Sequence, residues 1–194
     1  MSYHVYTTEG IILKRTPFGE ANILLHIFTK DLGLIIASAR SARLSVSKLR
    51  TALQEGSFVI ISCVKGKGGW KVTNATYQSS LFFDLPKYTH KVVAQVFKML
   101  LKMIVGESPD SKTFEVVSSG FNYLKKLQED NTTEFEILMV LRILNRLGYI
   151  AKDENTEIFF DEACLWDYSL LEKIDSEKTK IVSVINKALK ESQL

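Results

Sequence analysis

Cysteine is nearly missing from this 194-residue chain: Cys63 and Cys164 stand far apart and outside any C-x-x-C pair. Neither a disulfide framework nor a cysteine-based zinc site is supported, and a reducing cytoplasm is the simplest compartment. Histidine is as sparse, with His4, His26 and His90 scattered and no H-x-x-H or H-E-x-x-H spacing, so no metal and no cofactor are expected. No stretch supplies the ~18 uninterrupted apolar residues of a membrane helix, and residues 1–10 lack an apolar leader core, so neither a membrane span nor export is expected. No Ser, Thr or Cys has a partner base evident from spacing, which leaves nucleophilic catalysis unsupported. Acid is missing from one place in particular. Between Leu32 and Gln54 there is no Asp or Glu, while Arg40, Arg43, Lys48 and Arg50 all fall there in "SARSARLSVSKLR".

The chain is 46% hydrophobic, enough for one large core or two smaller ones, and its formal net charge is only +3. The distribution is lopsided. Up to Ser79 ten Lys/Arg face four Asp/Glu, a local net of +6; the rest carries 15 basic and 18 acidic residues, a net of −3. That asymmetry points to a basic module that meets an anion and a second module with another task.

The first module reads as β. Apolar runs at 10–13, 22–28 and 34–38 form a meander with a tight turn at 30–33, a short helix is expected over 47–53 with Ser47 as its cap, and strands follow at 58–64 and 70–76. Five strands and one small helix suit a small closed barrel, and an OB-fold is one candidate. Lys65-Gly66-Lys67-Gly68-Gly69 reads as a basic hairpin tip and not as a phosphate loop, since the G-x-x-x-x-G-K-[ST] pattern is absent.

After residue 81 the period turns helical. Val92, Val93, Val96, Phe97, Leu100, Leu101 and Ile104 share a face that Gly106 is placed to end; Ser108-Pro109 is expected to open a second helix. Thr133 and Glu136 form a capping box for a third, closed by Gly148; residues 156–161 read as a short extended piece, and Ser176 caps a last helix to about 191. The division expected is therefore an α+β chain: a five-stranded barrel over 1–80 and a helical domain over 81–194.

The acid-free basic run, with the second basic group of Lys65, Lys67 and Lys71, favours nucleic acid over an ordinary solvated surface, which usually mixes signs. Phe18 and Trp70 lie in or beside loops where a ring can stack on an unpaired base, although for either alone a packing role is the plainer explanation. On the first helix Lys87, Lys91, Lys98 and Lys102 fall within roughly 60° of arc, and Arg142 with Arg146 adds a second basic pair. These are either wet helix faces or a docking stripe for an acidic peptide. Asp153, Glu154, Glu157, Asp161 and Glu162 lack EF-hand spacing and read as a solvated acidic loop.

Together, "EGIILKRTPFGEANILLHIFTKDLGLIIASARSAR", "SKLRTALQEG", "LRILNRLGYI" and "INKALKESQL" occur in the order and spacing that resemble the bacterial recombination mediator family RecO. The resemblance implies an N-terminal OB-fold and a helical domain without enzymatic activity. It implies binding and annealing of single-stranded DNA, with double-stranded DNA left open. It also implies cooperation with RecR, engagement of the acidic tail of single-strand-binding protein, indirect help in loading RecA, and a cytoplasmic, nucleoid-associated location. On the same basis Arg15, Phe18, Arg40, Arg43, Lys48 and Arg50 sit on the DNA face. The charge and loop reading, apart from the resemblance, adds Lys65, Lys67, Trp70 and Lys71 to that face and expects Lys91, Lys98, Lys102, Arg142 and Arg146 to meet the protein partner. Residues 151–163 contain no cysteine where many family members carry a four-cysteine zinc module, so zinc is not carried over. The rival expectations are an OB-fold RNA-binding or ribosome-associated protein and, more remotely, an enzyme using carboxylates at 153–162.

Overall fold

The structure, a computed structural model, describes residues 4–153, 156–160 and 166–192. The chain divides into two compact units, one made of the residues up to Asp84 with Ile104–Ser111, the other of Leu85–Met103 and Lys112 onward.

The first unit is a closed barrel. Strands β1 (Val5–Phe18), β2 (Asn22–Thr29) and β3 (Gly33–Ala39) form the meander, helix α1 (Leu49–Ala52) follows, and β4 (Ser57–Gly66) and β5 (Gly69–Ser80) complete the order β1-β2-β3-β5-β4, with β4 closing on β1. This is the OB-fold arrangement, with a helix between the third and fourth strands. β1 is long enough to serve two neighbours, and a register shift between Ile12 and Lys14 lets it bend from β4 to β2. In "NILLHIFT" Ile23, Leu25 and Ile27 are wholly buried, so Leu24 and His26 take the outer face, as the two-residue period of a strand requires. β3 turns Ile35, Ala37 and Ala39 inward. The small Ala37 is in register with Trp70 across the short parallel β3–β5 pair that closes the barrel, and the indole fills the space that alanine leaves.

Residues 104–111 do not begin a helix at Pro109. They run along the barrel: Leu34 N–H donates to the Gly106 carbonyl at 3.3 Å, and the Ser108 backbone lies against Gly33. Ser47 does not cap α1 either; the helix begins at Leu49 with no side-chain cap. Helix α2 (Leu81–Asp84) ends this part of the unit.

The second unit contains α3 (His90–Met103), α4 (Ser111–Leu124), α5 (Thr132–Arg146), α6 (Tyr168–Ser176) and α7 (Lys178–Glu191). Its core uses edge-on Phe97 and Phe121, with ring centroids 5.9 Å apart, and Phe135 tilted on Trp166 at 5.0 Å. The Thr133–Glu136 capping box does not form: a 3-10 turn at Glu129–Asn131 leads into α5 two residues early, with Asn131 in the cap position, and Thr132 Oγ1 donates to the Glu129 carbonyl at 2.8 Å. Ser176 ends α6 and does not cap α7. Residues Glu157–Phe160 form a 3-10 turn, not an extended piece, and Asp161, Glu162, Glu154 and Cys164 lie outside the described residues.

Candidate nucleic-acid interface

The acid-free run begins where β3 ends. Arg43 N–H donates to the Ala21 carbonyl at 2.9 Å, its Nη1 donates to the Gly19 carbonyl at 3.1 Å, and Ser41 N–H donates to Asn22 Oδ1 at 2.9 Å. Residues 40–43 are thus laced onto the β1–β2 turn, which carries Phe18 with 59% of its surface exposed. Arg40 and Arg43 are both exposed there.

From this corner the outer face continues across the sheet. Thr16 pairs with Leu24, Leu24 with Ser38, and Ser38 with the exposed Lys71; one step along, Lys14 pairs with His26 and His26 with Ile36, which is 51% exposed. A hydrophobic side chain between cationic ones on the β2–β3 surface is the composition that OB-folds use to hold single strands, where charge follows the backbone and apolar groups meet bases. His26 Nδ1 is shielded from solvent and has no hydrogen-bond partner. Burial, and then the Lys14 charge, lower its pKa, so the ring stays neutral and presents both donor and acceptor chemistry at neutral pH. Lys14, His26 and Ile36 were not singled out from the sequence, yet the strict alternation in β2 already turned His26 outward.

The remaining barrel residues divide. Arg15 stands in register with Leu25, on the core side of the sheet; it is half-buried and its Nε has no partner. Lys67 is exposed at the β4–β5 tip, whereas Lys65 is engaged by Glu107 at 2.5 Å. Trp70 is a correction: at 5% exposure, with Tyr6 edge-on at 5.2 Å and Lys65 Nζ 5.4 Å from its ring centroid, it packs the barrel and offers no face to a base. Lys48 and Arg50 are exposed, and Arg50 lines a separate pocket beside α1.

On the helical unit Lys91, Lys98 and Lys102 are exposed on α3, and Lys98 and Lys102 border a groove of about 250 Å³ floored by Met99, Met103, Val140 and Leu189. Glu136 also lines it. Burial raises its carboxyl pKa, with Lys91 partly offsetting the shift. Arg142 is the second correction: it is 3% exposed, its Nε donates to the Phe159 carbonyl at 2.8 Å, and its guanidinium lies 4.4 Å over the Trp166 ring. It holds the bundle together and does not join the exposed stripe; Arg146 is half-buried.

Among the described residues no group of three or more His, Cys, Asp or Glu side chains is placed to hold a metal, and no helix is long and apolar enough to cross a membrane. Cys63 is buried and its thiol pKa is pushed up to about 12, so it is not a nucleophile at neutral pH.

Fold and surface together define an OB-barrel protein with a helical domain. Residues 1–79 match the family described as recombination protein O, N terminal. Along more of its length the chain is similar to proteins named DNA repair protein RecO. The relative from Thermodesulfovibrio yellowstonii is 26% identical over 156 residues, covering 77% of this chain and 60% of that protein. That from Dehalococcoides mccartyi strain 195 is 30% identical over 150 residues, covering 75% and 57%, and that from Heliobacterium modesticaldum 26% identical over 148, covering 75% and 52%. Residues 1–79 thus carry the N-terminal domain of the RecO family, and similarity to proteins of that name continues over about three-quarters of the chain. The chain spans between half and three-fifths of the length of these relatives.

Proposed function

We propose that this chain is a DNA-repair and recombination mediator without catalytic activity of its own, which binds and anneals single-stranded DNA and helps load recombinase onto strands coated by single-strand-binding protein. The observation that carries the reading is the joining of the acid-free Arg40–Arg43 segment to the β1–β2 turn, at one end of an outer sheet face bearing Lys14, His26, Ile36 and Lys71. Several cations on one face neutralise successive phosphates and release counterions, while Phe18 and Ile36 supply sequence-tolerant contacts to bases. The names of the relatives support a repair role. In the same proposal the α3 groove, with Lys98 and Lys102 above an apolar floor, takes the acidic, aromatic-ended tail of single-strand-binding protein. RecR and, indirectly, RecA belong to the proposal through the family resemblance.

The test is competition binding with matched single-stranded DNA and RNA, joined to an annealing assay with complementary strands. The reading expects DNA to be bound and annealing to accelerate. Preference for RNA without annealing would favour the RNA-binding alternative.

A further inference from the structure

Beside α1, and with no residue of β2 or β3 in its lining, the barrel has a pocket of about 410 Å³, inside the ~300–1,000 Å³ range of small-ligand sites. Its floor is Ser57 and Ser80, register partners where β4 and β5 meet α2; they are 1% and 2% exposed, and neither hydroxyl has a hydrogen-bond partner. Buried polar groups in native proteins are nearly always satisfied, so two adjacent orphans in a pocket wall mark where an outside group is missing. The walls add hydroxyls from Ser45, Ser47 and Thr51, and the rim carries two rings, Tyr77 at 42% and Phe83 at 83% exposure.

Among the described residues, Arg50 is the one charged side chain lining this pocket, so the site suits one negative charge. Asp84, whose Oδ2 accepts the Ser80 N–H at 2.8 Å, lies behind the floor, near enough to Tyr77 to help burial raise its phenol pKa. A dianion is disfavoured there and a monoanion is not. A phosphodiester carries one charge and a terminal phosphate close to two. With a guanidinium for the phosphate, rings for a base face and hydroxyls for a base edge, we infer that this pocket holds one internal nucleotide of a second single strand, apart from the strand on the β2–β3 face. The inference rests on the nucleic-acid reading of the barrel and extends it: a protein that anneals has to hold two strands at once.

The test uses the full chain and an oligothymidylate of about eight nucleotides, within the ~4–16 nucleotides that one OB-fold accommodates, with 5-iodouracil in place of some thymines. Native mass spectrometry at low salt should count two oligonucleotides per chain, and photo-crosslinks should map to Tyr77 or Phe83. Phe83→Ala should weaken the second site about 5- to 150-fold, the equivalent of one lost base stack. Tyr77→Ser with Phe83→Ser should leave one oligonucleotide bound at unaltered affinity; an unchanged thermal midpoint confirms that the variant is folded. A single oligonucleotide on the native chain, or two on the Tyr77/Phe83 variant, overturns the pocket. Retention of both by Arg40→Ala with Arg43→Ala would instead overturn the β2–β3 face as the first site, so the two failures are distinct.

Discussion

Lys65 Nζ lies 2.5 Å from Glu107 Oε2, so one cation of the basic β4–β5 tip is already engaged by a carboxylate 42 residues later in the chain. Both side chains are about half exposed, and the pair contributes little to stability. Its effect is on what Lys65 is free to bind. Glu107→Gln should therefore strengthen single-strand binding and steepen log K against log salt by up to about 0.7, the increment for one added phosphate contact. The Lys65 hydrogen bond holds the Glu107 carboxyl below the ordinary glutamate range. The stabilisation from this pair is thus complete above that range and is lost as pH falls through the depressed value, where Lys65 is released. A salt titration showing equal slopes for the native chain and the Gln variant would exclude Lys65 from the interface.

Arg40→Ala with Arg43→Ala should weaken binding about equally for all sequences and lower the salt slope by up to about 1.4, two contacts at ~0.7 each. Arg43 also donates to the Gly19 carbonyl, so its loss loosens the β1–β2 turn, and Arg40→Ala alone isolates the phosphate contribution. An unchanged slope in both variants would move the strand to another surface.

Gly33 has φ +70, and a Cβ there would lie 2.4 Å from the Ser108 carbonyl oxygen. Gly33→Ala should destabilise the barrel by about 1–2 kcal/mol from the left-handed backbone alone, and further by displacing residues 106–108 from the β3 edge. Thermal unfolding should show a clear fall in midpoint; a midpoint within error of the native one would mean that the strap yields freely.

β2, β3 and β4 were legible because a two-residue alternation shows within a single segment, as with Ile23, Leu25 and Ile27 in β2, whereas β1 was legible as an apolar run, Ile11 to Leu13 being buried in succession where its register shifts. Trp70 was not. Its fate depends on a parallel pairing with Ala37, 33 residues earlier, and nothing local separates a tryptophan after a glycine tip from an exposed stacking ring. Glu107 escaped notice for the same non-local reason. Arg142 misled differently: its spacing to Arg146 suggests a surface pair, but Leu141, Ile143 and Leu144 around it are all buried, and an arginine in so apolar a helix is better expected inside and partnered. Helix α6 was missed because its short apolar pattern, Leu171 and Ile174, ends at the serine that looked like the cap of the next helix.

The α3 groove yields the last prediction, and its pH dependence separates it from a generic basic patch. Lys98 and Lys102 flank the groove, so Lys98→Glu with Lys102→Glu should weaken binding of an acidic, phenylalanine-ended peptide about tenfold or more, as expected when charge-assisted contacts of ~1.5–3 kcal/mol are replaced by repulsion. Glu136 shares the groove, and burial raises its pKa, so it loses its charge at a higher pH than an ordinary glutamate. As pH falls into that range, Glu136 neutralises while the peptide's exposed carboxylates, titrating lower, remain charged. Peptide affinity should therefore rise on mild acidification before falling as the peptide itself protonates. The same raised pKa stabilises the fold below the unfolded glutamate value, and that contribution is lost as pH rises through the folded one. Glu136→Gln should remove the mild-acid rise and increase affinity at neutral pH. Calorimetry across pH with the native chain, the Gln variant and the Lys98/Lys102 reversal, alongside DNA binding by each, checks all of this. If the reversal reduces DNA affinity in parallel with peptide affinity, the α3 face is a DNA surface; if the Gln variant keeps the acid-side rise, the peptide does not reach Glu136.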